Sequence, residues 1–202
     1  MTAPDLAGFL ALVSGRRGHF RLESGHHGAL WLDLDTLFTH SRLVDPFVSA
    51  LTEGLGAIRA EVICGPMIGG AFLAQLVAAR LGARFCFTRR EAPVAPSTLY
   101  GVHYSLPAAL QQVVRGRRVA IVDDVMSAGS ALLGTRAALE TAGAQVVVAG
   151  ALLVLGQTGE RALASLGVPT LAAVRDDYEL WEEPSCPQCK VGVPLQDLSA
   201  NG

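Results

Sequence analysis

Apolar and polar positions along the chain alternate between short, β-branched runs and longer segments with helical spacing. The runs at 61–64, 84–88, 119–122, 145–155 and 169–174 read as strands. The segments at 42–56, 71–81, 131–142 and 160–166 between them read as helices. Strands that alternate with helices predict an α/β chain with a mostly parallel, twisted sheet flanked by helices, because a parallel strand pair needs a long crossover. The runs at 119–122 and 145–155 are apolar throughout, as expected of strands covered on both faces.

The first forty residues break this rhythm. A short leading helix is expected over 4–13. Alternation across Phe20 and Leu22, then Leu30, Leu32 and Leu34, with Ser24-Gly25 between, predicts two strands joined by a turn. Such a hairpin lies outside a parallel core and is placed to cover its crevice. At 202 residues the chain is long enough for one well-packed α/β domain and too short for two. The expected plan is a single domain, with a core at 41–175 and a small hood built from 1–40 and 176–202.

Composition narrows the partners. A net charge of -2 and a pI near 6.2 give no global attraction to nucleic acid or to an anionic membrane. The longest apolar run, 146–156, is far short of the ~20 residues of a transmembrane helix. The start of the chain shows no basic segment followed by an apolar stretch and a cleavage site, so the expected compartment is the cytoplasm. Cys64 and Cys86 lie in apolar runs and read as buried small hydrophobes. Lys190 is the only lysine, which leaves none for chemistry in the core and makes arginine the cation for small anions.

The chemistry concentrates where the run at 119–122 meets Asp123-Asp124-Val125-Met126-Ser127-Ala128-Gly129-Ser130-Ala131. Two adjacent carboxylates are not expected inside a parallel sheet, which sets them exposed at the strand's carboxyl end, where an open α/β sheet forms its ligand crevice. The small residues that follow let backbone N–H groups converge at a helix N-terminus, a setting for a phosphate monoester. Vicinal hydroxyls on the aspartates and a phosphate on the turn together describe a ribose 5-phosphate group. A second strand ends in Gly65-Pro66-Met67-Ile68-Gly69-Gly70 before a helix, a second anion nest at the same sheet edge. Two nests suit a ligand with two phosphate centres. Arg89 and Arg90 leave a third strand, with planar donors for the same anion.

The stretch 118–131 resembles the phosphoribosyl pyrophosphate (PRPP) signature of type I phosphoribosyltransferases, and Gly18-x-Phe20-x-Leu22-x-Ser24-Gly25 resembles the opening of the orotate members. The fold this implies is the type I phosphoribosyltransferase fold. By resemblance, Asp123 and Asp124 hold the ribose, Val125 to Ala131 the 5-phosphate, and Met67, Ile68 and Gly69 with Arg89 and Arg90 the pyrophosphate. Ser127, Gln157 and His26 are set toward the base. The resemblance further implies Mg²⁺ held mainly by PRPP with no direct protein ligand, and a homodimer in which a mobile lid, about 92–104, closes from a neighbouring subunit.

At three places, two single residues and one dipeptide, the chain departs from the orotate pattern. Pro93 and Ala95 stand where its lid carries lysine and histidine, and Gly156-Gln157 stands where it carries Asp-Arg to hold the substrate carboxylate. Glutamine bonds a base edge but does not pair as a charge. His103 and Tyr104 are possible replacement donors on the lid. The activity implied is phosphoribosyl transfer from PRPP to orotate. Transfer to another base, or PRPP or nucleotide sensing without turnover, are the alternatives that these positions leave open.

The tail also resembles one branch of the orotate enzymes. Its Cys186-x-x-Cys189 is half of a zinc knuckle with no second pair following, so metal there needs ligands from the hairpin or from another chain. His26 and His27 are candidate ligands, though adjacent turn histidines are more often solvated or bonded to substrate. The tail is expected to pack against the hood.

Overall fold

The computed structural model describes residues 4–91 and 102–197. In chain order the elements are α1 (Leu6–Leu10), β1 (Ser14–Arg21), β2 (His27–Asp33), α2 (Ser41–Gly56), β3 (Val62–Pro66), α3 (Gly69–Leu81), β4 (Arg84–Arg90) and β5 (Tyr104–Ser105). There follow α4 (Gln111–Val114), β6 (Arg118–Met126), α5 (Ser130–Thr141), β7 (Gln145–Leu155), α6 (Thr158–Ser165), β8 (Thr170–Asp176), α7 (Pro187–Lys190) and β9 (Gln196–Asp197).

Six strands form the main sheet in the order β5-β4-β3-β6-β7-β8. Every neighbouring pair is parallel except the edge pair β4 and β5. The chain moves outward from β3 to β4 and β5, then returns to lay β6 on the other side of β3. That reversal is a topological switch point, and the crevice outside the carboxyl ends of β3 and β6 is where such sheets bind ligands.

Two apolar clusters cover the sheet. One joins α2 and α3 through Phe47, Val48, Leu51, Leu73 and Val77; the other joins α5 and α6 through Leu132, Leu139 and Leu163. Within β6, Ala120 and Val122 belong to the first cluster and Val119 and Ile121 to the second, the two-residue alternation of a strand buried on both faces.

A separate three-stranded sheet, β2-β1-β9, forms the hood, with β1 antiparallel to β2 and parallel to the tail strand β9. Tyr178 fastens it to the core: its hydroxyl accepts from Leu30 N–H at 3.2 Å and donates to Leu30 carbonyl at 3.3 Å.

The leading helix is shorter than its apolar spacing predicts: Asp5 caps its start by accepting the Gly8 N–H at 2.7 Å, and it ends at Leu10, ahead of β1. Strand β4 continues past Thr88 to Arg90 because β5 returns beside it, pairing Arg89 with Ser105 and Arg90 with Tyr104. The short helices over 108–114 had no periodic signal. Pro93 and Ala95 lie outside the described residues, as does most of the expected lid.

Candidate active site

The loops after β3 and β6 flank the switch point, and the two aspartates lie between them. Asp123 and Asp124 are the sixth and seventh residues of β6 and are each only 8 % exposed. This corrects the expectation of exposed carboxylates at the strand's end, since the sheet carries them within β6. The backbone partly compensates their burial: Asp123 Oδ1 accepts from Asp124 N–H at 3.0 Å, and Asp124 Oδ1 from Val125 N–H at 2.7 Å.

Burial, and then the neighbouring carboxylate of Asp124, hold the Asp123 carboxyl well above the ordinary carboxylate range. Burial also pushes Asp124 up to about 6, against the opposing pull of the Val125 amide. Among the described residues neither aspartate takes part in an ion pair.

The two glycines that open α3 face these carboxylates. A Cβ on Gly69 would stand 1.8 Å from Asp124 Oδ2, and one on Gly70 would stand 2.7 Å from Asp123 Oδ1. Close approach to the aspartates therefore requires glycine at both places, alongside any part these residues play in an anion nest. The Met67-Ile68 peptide is cis, and both side chains are exposed beside the crevice. No side chain caps α3, and within its first turn the Ala71 N–H donates to the Ile68 carbonyl at 3.1 Å.

The turn after β6 is built in the same way. Gly129 is the N-cap of α5, in the left-handed region at φ 79, and offers no side-chain cap. The turn rests on α6, where Gly159 N–H donates to Ser127 carbonyl at 3.0 Å. Val125, Ser127, Ser130 and Ala131 are half-buried, while Met126 and Ala128 pack inward. The turn thus presents backbone amides with the partly exposed Ser127 and Ser130, and keeps its apolar side chains Met126 and Ala128 inward, a setting that would suit a phosphate.

The arginines separate. Arg89 lies 5.7 Å over the Phe87 ring, two residues back on its own face of β4. Arg90 turns to the other face and pairs with Glu23 at 3.3 Å. Glu23, in the hood turn, also accepts from Tyr104 hydroxyl at 2.9 Å and from Ser130 hydroxyl at 3.2 Å. It therefore links the hood, β4, β5 and the phosphate turn. No periodicity or motif singled out Glu23, because its partners come from three distant segments.

At the end of β7, Gln157 is exposed and its amide oxygen accepts from Arg161 Nη2 at 2.6 Å, so a guanidinium stands one turn beyond the expected base position. Gly156 is left-handed at φ 68, with Tyr178 carbonyl 2.2 Å from where a Cβ would be, which excludes an aspartate in this backbone. His26 is buried with its ring Nδ1 3.1 Å from Ser24 Oγ, and burial lowers its pKa. A cavity of about 380 Å³, lined by Leu34, Phe38, Ile68, Gly69, Phe72 and Asp124, opens beside the aspartates.

Residues 49–167, more than half of the chain, match the phosphoribosyl transferase domain. The chain belongs to the phosphoribosyltransferase family. Within that family it is similar to orotate phosphoribosyltransferases. It is 29% identical to that of Caldanaerobacter subterraneus over 89% of this chain and 87% of the relative. It is 30% identical to that of Thermus thermophilus over 90% and 92%. The crystal structure of orotate phosphoribosyltransferase from Aeropyrum pernix superposes with a TM-score of 0.62 at 25% identity, covering 82% of this chain and 88% of that one. The APRTase of Giardia lamblia, complexed with 9-deazaadenine, shares the fold at a TM-score of 0.67 and 18% identity, covering 86% and 98%.

Proposed function

We propose that this chain transfers the phosphoribosyl group of PRPP to a ring nitrogen of orotate, giving orotidine 5′-phosphate and pyrophosphate. The observation that carries this reading is the seating of Asp123 and Asp124 between two uncapped helix N-termini at the switch point. The similarity to orotate phosphoribosyltransferases supports the choice of base. As the C1–oxygen bond to pyrophosphate breaks, positive charge grows on the ribose, and two carboxylates beneath it oppose that charge. The turn at 127–131 holds the 5-phosphate, and the loop at 67–69 with Arg90 receives the pyrophosphate. Orotate brings an acidic ring nitrogen, so stabilising the leaving group matters more than activating the base.

Among the described residues no cation pairs with the two buried carboxylates, which fits a divalent ion arriving with the substrate. Asp123 and Asp124 would hold it through the ribose hydroxyls, and Mg²⁺ when bound neutralises charge on the leaving pyrophosphate. A homodimer and a cytoplasmic location belong to the same reading by family resemblance. Among the described residues no helix is long and apolar enough to cross a membrane.

A second reading, transfer to another base, is favoured by Gly156-Gln157, whose amide offers hydrogen bonds and no charge of its own. The test is pyrophosphate release from Mg-PRPP with orotate and a panel of other bases. Turnover with orotate alone supports the proposal, and turnover with a different base alone replaces it by the second reading. PRPP binding without any turnover would identify a sensor.

A further inference from the structure

The C-terminal turn brings two cysteines against two histidines of the hood, far from the phosphate nests in sequence and in chemistry. His19 lies where the register of β1 on β2 shifts between Arg17 and Phe20, so β1 carries one extra residue there. Such a bulge re-aims a side chain, and His19 is buried. Its Nδ1 donates to the Val193 carbonyl at 2.8 Å, which leaves the Nε2 lone pair facing inward. Around that nitrogen stand His27 Nδ1 at 3.0 Å, Cys186 Sγ at 3.4 Å and Cys189 Sγ at 3.6 Å. Cys189 Sγ is 3.3 Å from His27 Nδ1, and all four ligand atoms lie within 4.8 Å of one another.

A tetrahedral zinc ion with Zn–S of about 2.3 Å and Zn–N of about 2.05 Å sets N···N near ~3.3 Å, S···N near ~3.6 Å and S···S near ~3.8 Å. The one N···N separation, 3.0 Å, and the three S···N separations, 3.3, 3.4 and 3.6 Å, approach that pattern before any ion is considered. We propose that His19, His27, Cys186 and Cys189 form a tetrahedral zinc site that fastens the C-terminal tail to the hood hairpin.

The donor set favours zinc, because two thiolates and two imidazoles in a closed tetrahedron suit it over hard cations that prefer oxygen. Each cysteine thiol gives up its proton to solvent as the ion binds, so two thiolates and Zn²⁺ sum to zero charge. A buried centre of this kind needs no further counter-charge. The Val193 carbonyl supplies the outer contact that orients His19. His27 Nε2 has no partner among the described residues, so coordination at Nδ1 would set its tautomer.

The missing half of the zinc knuckle is thus in the hairpin, where His27, one member of the expected histidine pair, supplies it together with His19. His27 enters the cluster, while His26, its neighbour in the chain, turns to Ser24. The surrounding backbone holds the two segments together: His27 and Trp181 exchange hydrogen bonds at 2.7 Å and 3.0 Å, and Gln188 Nε2 donates to Gly18 carbonyl at 3.1 Å. The site is independent of which base the enzyme accepts.

The test uses the full chain, stripped with a chelator and reloaded with metal alone. One zinc per chain is expected by elemental analysis. Co²⁺ in its place is expected to show the visible bands of a tetrahedral centre and near-ultraviolet thiolate-to-cobalt charge transfer. Cys186→Ser and Cys189→Ser should lose both signatures, and Cys64→Ser should keep them. Since a ligand variant can fail to fold, the parent supplies a second measurement, in which zinc slows alkylation of Cys189 and chelator restores it. Zinc content unchanged in the Cys186→Ser, Cys189→Ser double variant, or equal alkylation with and without zinc, would overturn the proposal.

Discussion

Asp124 combines burial, a raised pKa and a glycine pressed against its carboxylate, and each has a measurable consequence. Its folded pKa of about 6 exceeds the ordinary 3.8, so between those values the folded chain binds more protons than the unfolded chain. Stability from this group is therefore fully present below about pH 4 and is lost as pH rises through about 6. Asp124→Asn removes the buried charge. It is expected to be more stable than the parent at pH 8 by on the order of 1–3 kcal/mol, with the difference shrinking toward pH 4. Urea unfolding of both proteins across that range checks this, and a variant less stable at pH 8 would refute it. The same variant is expected to bind PRPP more weakly. The glycines divide likewise. A Cβ on Gly65 would lie 1.9 Å from the Gly70 carbonyl, which is backbone, whereas one on Gly69 meets a side chain that rotates. Gly65→Ala should lower stability by several kcal/mol. Gly69→Ala should keep the fold and lose PRPP affinity, as calorimetry would show.

At the scale of elements, strands and helices were legible because each carries its own periodicity. The run at 145–155 matches β7 end to end, and the ends of the other core strands and helices shift by up to four residues, most at the carboxyl end of β6. What escaped was pairing: β5 is two residues long and exists only because β4 lies beside it. The split of Arg89 from Arg90 follows once both belong to one strand, since neighbouring residues then face opposite ways. Glu23 is the element-scale contact with the clearest consequence for binding. Its carboxylate occupies Ser130 and Arg90, groups that a phosphate or pyrophosphate would take. Glu23→Gln should tighten binding of inorganic pyrophosphate, and because both partners of the Arg90 pair are about one-third exposed the gain is about fivefold or less. Titration calorimetry showing equal or weaker binding would exclude this competition.

For the molecule as a whole, the hood and the core are held together by specific hydrogen bonds beside apolar packing of Phe9, Leu32 and Leu37 on the core. Tyr178 supplies two hydrogen bonds to Leu30, and its carbonyl crowds Gly156 at the end of β7. Tyr178→Phe should cost about 1 kcal/mol or somewhat more, since Leu30 N–H and carbonyl both lose their partner. Faster amide exchange at Leu30, with core strands unchanged, would locate that loss in the hood. Uniform acceleration through β6 and β7 would show instead that hood and core open together.

By itself the sequence determined the strand–helix alternation, the two nests and the aspartate pair. All three are local: hydrophobic period, small turn residues and charge at a strand's end act within a dozen positions of one another. Only the tertiary structure decided that the aspartates are buried, that α3 begins against them, that Glu23 bridges the hood to the phosphate turn, and that Cys186 and Cys189 meet His19 and His27. Each of these depends on segments brought together by sheet order and by the return of the tail. A contact between residues 167 or more positions apart, such as His19 with Cys186, leaves no periodic trace in the chain.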